Sequence, residues 1–199
     1  MTCLFLIGGE QVRSVEPIRN VDDIERIKDY LKERNERDYI LFMFGIYSGI
    51  RISDFLGLKV KDVRGDRVFV VEKKTKKAKP FAINPKLRKA LNKYIENKEL
   101  KDYDFLFPSR KRDKRNGVQF VPIQRKTAWE IVKKAGQHIG LENLGSHSMR
   151  KTFGYHYYIQ THDVVTLQKI FNHSTPTITL IYIGYQQDEL DEAILTFDY

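Results

Sequence analysis

Apolar residues return every three or four positions along most of this chain, the spacing of helices that bury one face. Val21, Ile24, Ile27 and Leu31 make the first such stripe, opened by Asn20 as an N-cap with Asp22 and Asp23 in the first turn. The run 39–47 is apolar on all sides and predicts a helix at the centre of the core. Ser48-Gly49 breaks it, and a short helix restarts at Ser53-Asp54-Phe55-Leu56. At 68–71 and 81–83 the pattern changes to short β-branched and aromatic runs around a Lys-rich turn, which predicts an antiparallel hairpin. Pro85 opens a helix with Leu87, Leu91, Tyr94 and Ile95 on one face. Residues 103–116 read as a loop pinned to the core by Phe105-Leu106-Phe107, and helices follow over 127–139, 148–160, 163–171, 177–183 and 187–195. Residues 1–18 show no period. The expected fold is mainly α with a small antiparallel β-sheet, an α+β domain over 19–185 between an N-terminal extension, 1–18, and a C-terminal tail, 186–199.

Composition narrows the class. The chain has 199 residues, 41% hydrophobic and 31% charged, which suits one folded domain and excludes disorder as the default. A lone cysteine, Cys3, rules out a disulfide framework and a Cys-based zinc site, and fits a reducing compartment. The apolar run 3–7 is too short for a signal-peptide core and no segment could span a bilayer, so a cytoplasmic location is expected.

Charge changes the picture more. The net charge is +9, but Lys59 to Arg115 holds twenty Lys and Arg against eight Asp and Glu, net +12, leaving −3 elsewhere. Two clusters dominate: Lys73, Lys74, Lys76, Lys77 and Lys79, then Arg110, Lys111, Arg112, Lys114 and Arg115. The last fourteen residues carry five acids and no Lys or Arg. This asymmetry points to a polyanion-binding face, with solvated Lys-rich turns as the plainer alternative.

Three stretches could carry chemistry. In Ser48-Gly49-Ile50-Arg51-Ile52-Ser53-Asp54, Arg51 follows a glycine turn beside the buried helix, where its planar fork could grip two phosphate oxygens or pair with Asp54. In His147-Ser148-Met149-Arg150, imidazole and guanidinium stand three apart, a poor metal site and a good oxyanion site. In Asn172-His173-Ser174 with Tyr182, a histidine and a tyrosine nine residues apart meet if the turn between them folds back.

Arg51, Lys74, His147, Arg150, His173 and Tyr182, in this order and local context, resemble the catalytic signature of the tyrosine recombinases, the phage-integrase family. Each box alone is weak, but four in register over about residues 20–185 are specific. Lys74-Thr75 opens the hairpin turn, and Lys151-Thr152-Phe153 follows the His147 box as the family pattern expects.

The resemblance implies a DNA strand exchange without metal or cofactor. Tyr182 would attack a phosphodiester to give a 3′-phosphotyrosyl link and a 5′-hydroxyl. Arg51, Arg150 and His173 would favour the phenolate and offset charge on the phosphate, with Lys74 as general acid and His147 aiding phosphate binding or proton transfer. Asp54 would orient Arg51 or His147. Lys73, Lys76, Lys77, Arg110, Lys111, Arg112, Lys114, Arg115 and Lys151 are the expected contacts to duplex DNA. The partner would be double-stranded DNA, bound by two to four copies of the chain, with no membrane or small-molecule substrate.

Two departures stand out. Asn172 takes the place of a usual glycine and Met149 that of a usual leucine. The short stretch before the first helix implies that the clamping domain that usually precedes the catalytic one is missing. The acidic tail, with Leu190, Ala193, Ile194 and Phe197, would dock on a neighbouring protomer or close as a lid. Alternatives to recombination are a nicking and closing activity like that of type IB topoisomerases, and a DNA-binding accessory protein that keeps the fold.

Overall fold

The computed structural model describes residues 15–71, 78–109 and 121–198. Helix α1 (Val21–Arg34) is capped by Asn20, whose side chain accepts from the Asp22 amide, and buries Ile24, Ile27 and Leu31. Val21, on the expected apolar face, is 57% exposed, because the first helical residue precedes the turn that meets the core.

Helix α2 (Glu36–Ser48) buries Ile40 to Ile46 without a polar interruption and packs against α1, α4, α5 and α6. It ends at Gly49, which is left-handed at φ +62°. A side chain there would be strained, and its Cβ would lie 2.4 Å from the Phe153 ring. The four-residue helix α3 (Ile52–Phe55) follows, with Arg51 as its N-cap. Phe44, Phe55 and Phe107 form an aromatic trio at centroid distances of 4.8–6.0 Å, which seats α3 and the 105–107 segment on α2. Leu106 and Phe107 are fully buried, as their pattern predicts.

A 3₁₀ turn, Val60–Val63, leads into β1 (Arg67–Val71), paired antiparallel with β2 (Ala78–Ala82) in the register Val68 to Phe81 and Val70 to Lys79. Val68 and Val70 point inward. The stretch expected to turn, with Lys73, Lys74, Lys76 and Lys77, lies outside the described residues, as do Arg110, Lys111, Arg112, Lys114 and Arg115. Helices α4 (Pro85–Asn97) and α5 (Arg125–His138) complete the main core.

Helices α6 (Ser148–Thr161), α7 (Val164–Phe171), α8 (Pro176–Ile183) and α9 (Tyr185–Leu195) follow. Leu167, Phe171 and Ile183 make a second, smaller core, packed by Phe153, Leu180 and Tyr182. Glycine at 154 lets α6 approach it, since a Cβ there would meet Phe171 and Ile183 at 2.7 Å.

The extension expected over 1–18 packs at its described end. Ile18 is buried in the main core, its amide donates to Thr152 Oγ1 (2.9 Å), and its carbonyl oxygen lies 2.9 Å from His156 Nε2. Periodicity misses Ile18 because no helix or strand contains it. The first turn of α9 is tied to this segment by Arg19, which grips both carboxylate oxygens of Asp188 (2.8–3.0 Å). Beyond that turn, Leu190, Ile194 and Phe197 are exposed. Among the described residues, no helix is long and apolar enough to cross a membrane.

Candidate active site

The seam between the two cores gathers the residues that the sequence places far apart. Ser148 starts α6 by exchanging bonds with Gly145: the Ser148 amide donates to the Gly145 carbonyl (3.0 Å) and the Gly145 amide donates to Ser148 Oγ (3.1 Å). This turn makes His147 the N-cap and projects it from the helix end. Arg150, one turn in, is nearly fully buried. The imidazole and guanidinium therefore differ sharply in exposure, although their spacing suggested a shared face.

Arg150 is the joint of the site. Its Nη1 donates to the Gly49 carbonyl (2.5 Å) and its Nη2 to the Phe171 carbonyl (2.9 Å), while the guanidinium lies 4.2 Å from the Phe171 ring centroid. One side chain thus ties the turn before Arg51 to the end of α7, just ahead of His173. The sequence suggested only a phosphate grip; the carbonyl bonds carry no sequence signal, because they span separations of 101 and 21 residues.

Asn172 is left-handed at φ +55°, which explains a non-glycine residue there: Asn adopts that region at low cost. The chain then folds back, with the His173 amide donating to the Gln168 carbonyl (3.1 Å) and Gln168 Nε2 donating to the His173 carbonyl (3.1 Å). Thr175 caps α8 by accepting from the Ile178 amide. These turns bring the His173 and Tyr182 rings to 5.1 Å, nearly edge to face.

The Tyr182 hydroxyl lies 3.3 Å from His147 Nδ1, and the Arg150 guanidinium is close enough to favour its phenolate. A guanidinium can only donate, so the phenol presents a lone pair to Arg150; with Nδ1 of His147 unprotonated, the phenol proton can pass to that nitrogen. Lys151, expected as a duplex contact, stands with Nζ 5.5 Å from the Tyr182 ring centroid. Burial pulls the Lys151 ammonium below its usual range.

The electrostatics correct one expectation. Burial raises the Tyr182 phenol above its ordinary value, and it outweighs the opposing pull of Arg150 and Arg51. His173 adds no positive charge, because desolvation, then Arg150 and Arg51, lowers it to about 4. His147 is lowered for the same first reason, reinforced by Arg150, Arg125, Arg51 and Lys151. The resting site therefore holds two neutral imidazoles and a protonated phenol beside fixed guanidinium charge.

The lowered His173 value sets a stability dependence. Above the ordinary imidazole value of about 6.5, folded and unfolded chains are both neutral there. As pH falls from about 6.5 to about 4, the unfolded chain takes up a proton that the folded chain refuses, so stability declines through that window. Solvent screening holds the loss to about 1–2 kcal/mol. Urea midpoints at pH 7 and pH 5 should show it, and His173→Gln should flatten the difference; an equal drop in the variant assigns it elsewhere.

The sequence model of the Phage integrase family matches residues 20–189. The probable integrase/recombinase YoeC of Bacillus subtilis (strain 168) is 43% identical over 184 residues, covering 92% of this chain and 97% of that protein. Among solved structures, that of XerA recombinase superposes with a TM-score of 0.71 at 22% identity, over 92% of this chain and 67% of that one. A post-cleavage complex of XerH site-specific recombinase bound to palindromic difH substrate gives 0.67 at 19%, over 92% of this chain and 54% of that one. The chain thus spans nearly all of one relative and about half of another.

Proposed function

The chain belongs to the phage integrase family, and from that premise we propose that it is a site-specific DNA recombinase that cuts and rejoins strands through a tyrosine at position 182. The observation that carries this reading is the Tyr182 hydroxyl, 3.3 Å from His147 Nδ1 and beside the buried Arg150, both of which come from α6 and not from the tyrosine's own helix. A DNA-binding accessory would gain nothing from a phenol with both a proton acceptor and a cation in place.

In the proposed reaction, Tyr182 Oη attacks phosphorus in line with the bond to the 5′-oxygen. The Oη–P bond forms, the P–O5′ bond breaks, and the phenol proton passes to His147 Nδ1. Arg51 and Arg150 offset the charge that builds on the non-bridging oxygens. A phenol is almost wholly protonated at neutral pH, so the attack needs that acceptor, and the raised value of Tyr182 increases the need. Lys74, outside the described residues, would protonate the departing 5′-oxygen, and Asp54 would orient its basic neighbours. One phosphodiester replaces another, so the exchange needs no ATP.

Double-stranded DNA is the proposed partner, which places the protein with the nucleoid. Two to four copies would assemble on it, with the exposed apolar residues of α9 docking on a neighbouring copy. The nearest other reading, a nicking and closing enzyme acting as a monomer, leaves those residues without a role. A duplex nicked beside its cleavage point, from which the released fragment diffuses away, should trap a covalent protein–DNA adduct. No adduct on any site enriched from a random duplex library would refute strand transfer.

The basic clusters make a separate prediction. Neutralising Lys73, Lys76 and Lys77 together should reduce the slope of log affinity against log salt by about 2–3. An unchanged slope would leave that cluster as a solvated turn.

A further inference from the structure

Thr179 is fully buried on α8, one turn after the cap at Thr175. Its hydroxyl oxygen sits between two groups: the Thr175 carbonyl oxygen at 3.2 Å and His173 Nδ1 at 3.1 Å. A carbonyl oxygen can only accept, so the single hydroxyl proton goes to Thr175. The Thr179 oxygen then meets Nδ1 with a lone pair, and Nδ1 must carry a hydrogen for the contact to be a bond.

We propose that Thr179 is a positioning residue that holds His173 as the Nδ1–H tautomer and so makes Nε2 the nitrogen that works on the substrate. With His173 neutral at pH 7, its one ring proton is then on Nδ1 and the lone pair on Nε2. Any proton the ring takes up lands on Nε2, which can next donate to a phosphate oxygen, while the Nδ1 bond to Thr179 is kept throughout. His147 faces the other way: its Nδ1 lies 3.3 Å from the Tyr182 hydroxyl, so the strand-transfer reading requires its own proton on Nε2. In that reading the two histidines present opposite nitrogens to one site, each beside a hydroxyl on α8.

The catalytic consequence rests on the strand-transfer reading above, whereas the tautomer does not. The test uses the full chain labelled with ¹⁵N-histidine, with His173 assigned by the signal lost in His173→Gln. Nitrogen shifts at neutral pH should show a pyrrole-type Nδ1 and a pyridine-type Nε2. Thr179→Val, which keeps the shape and removes the hydroxyl, should move His173 toward Nε2–H, and Thr179→Ser should restore it. On the nicked duplex, Thr179→Val should slow single-turnover cleavage about tenfold with DNA affinity unchanged, and Thr179→Ser should recover it to within about twofold.

An Nε2–H tautomer in the unsubstituted protein overturns the proposal, because the hydroxyl would then be donating to Nδ1. So does a Thr179→Val protein whose tautomer and cleavage rate are both unchanged. If the unsubstituted protein cleaves no DNA while its shifts report Nδ1–H, strand transfer falls and the tautomer assignment stands.

Discussion

Tyr182→Phe should abolish the trapped adduct, a loss on the order of a thousandfold or more, while leaving duplex affinity within about twofold of the unsubstituted protein. The substitution removes one oxygen and keeps the ring. That ring packs edge-on against Phe171 (5.5 Å) and His173 (5.1 Å), and both contacts are apolar in Phe as in Tyr. The phenol is largely shielded from solvent, so losing its oxygen affects the interior of the site and not the charged surface that would hold DNA. Denaturing gels of the nicked-duplex reaction give the covalent fraction, and mobility shifts give the affinity. An adduct that persists in Tyr182→Phe would mean that another side chain is the nucleophile.

Arg150→Met should lower stability by about 2–5 kcal/mol and cleavage below detection. Methionine fills much of the same volume but leaves the Gly49 and Phe171 carbonyls without their donor, each at a cost of about 1–3 kcal/mol. Arg150→Lys separates the two roles. A lysine keeps the charge but not the flat fork, so one ammonium must choose between carbonyls that the guanidinium bonds together. Its stability should fall between that of the unsubstituted protein and Arg150→Met, and cleavage should stay at least about a hundredfold down. Urea unfolding and single-turnover cleavage measure the two effects. Arg150→Lys at full stability with near-normal cleavage would show that charge alone matters and that the bridge between the cores does not.

Much of the fold was legible from pattern. The apolar run in α2, the Asn20 cap and Pro85 at a helix start all act over a few residues, so local physics suffices to place these elements. Ile18 was not legible, because its burial comes from Thr152 and His156 on α6, more than 130 residues away. The candidate site divided along the same line. Residue types and order brought forward Arg51, His147, Arg150, His173 and Tyr182, and the structure collects these at one seam. Thr179 escaped notice because a threonine in an apolar helix reads as packing until its hydroxyl is seen against His173 Nδ1.

The sequence by itself determined the chemical inventory and the local elements that carry it: a tyrosine on a short helix, two histidines at helix ends, and arginines after a glycine turn and within a helix. Tertiary structure alone decided what state those groups are in. It buried the phenol so that its value rises where the nearby arginines alone would lower it, and it lowered His173 to about 4, so that the imidazole stays neutral well into the acid range. It also gave Arg150 a second role, as the joint between two cores. The reason is physical. Helix periodicity and capping depend on neighbours within about one turn. Desolvation and charge–charge energies instead sum over every element packed around a group, and that sum does not exist until the chain has folded.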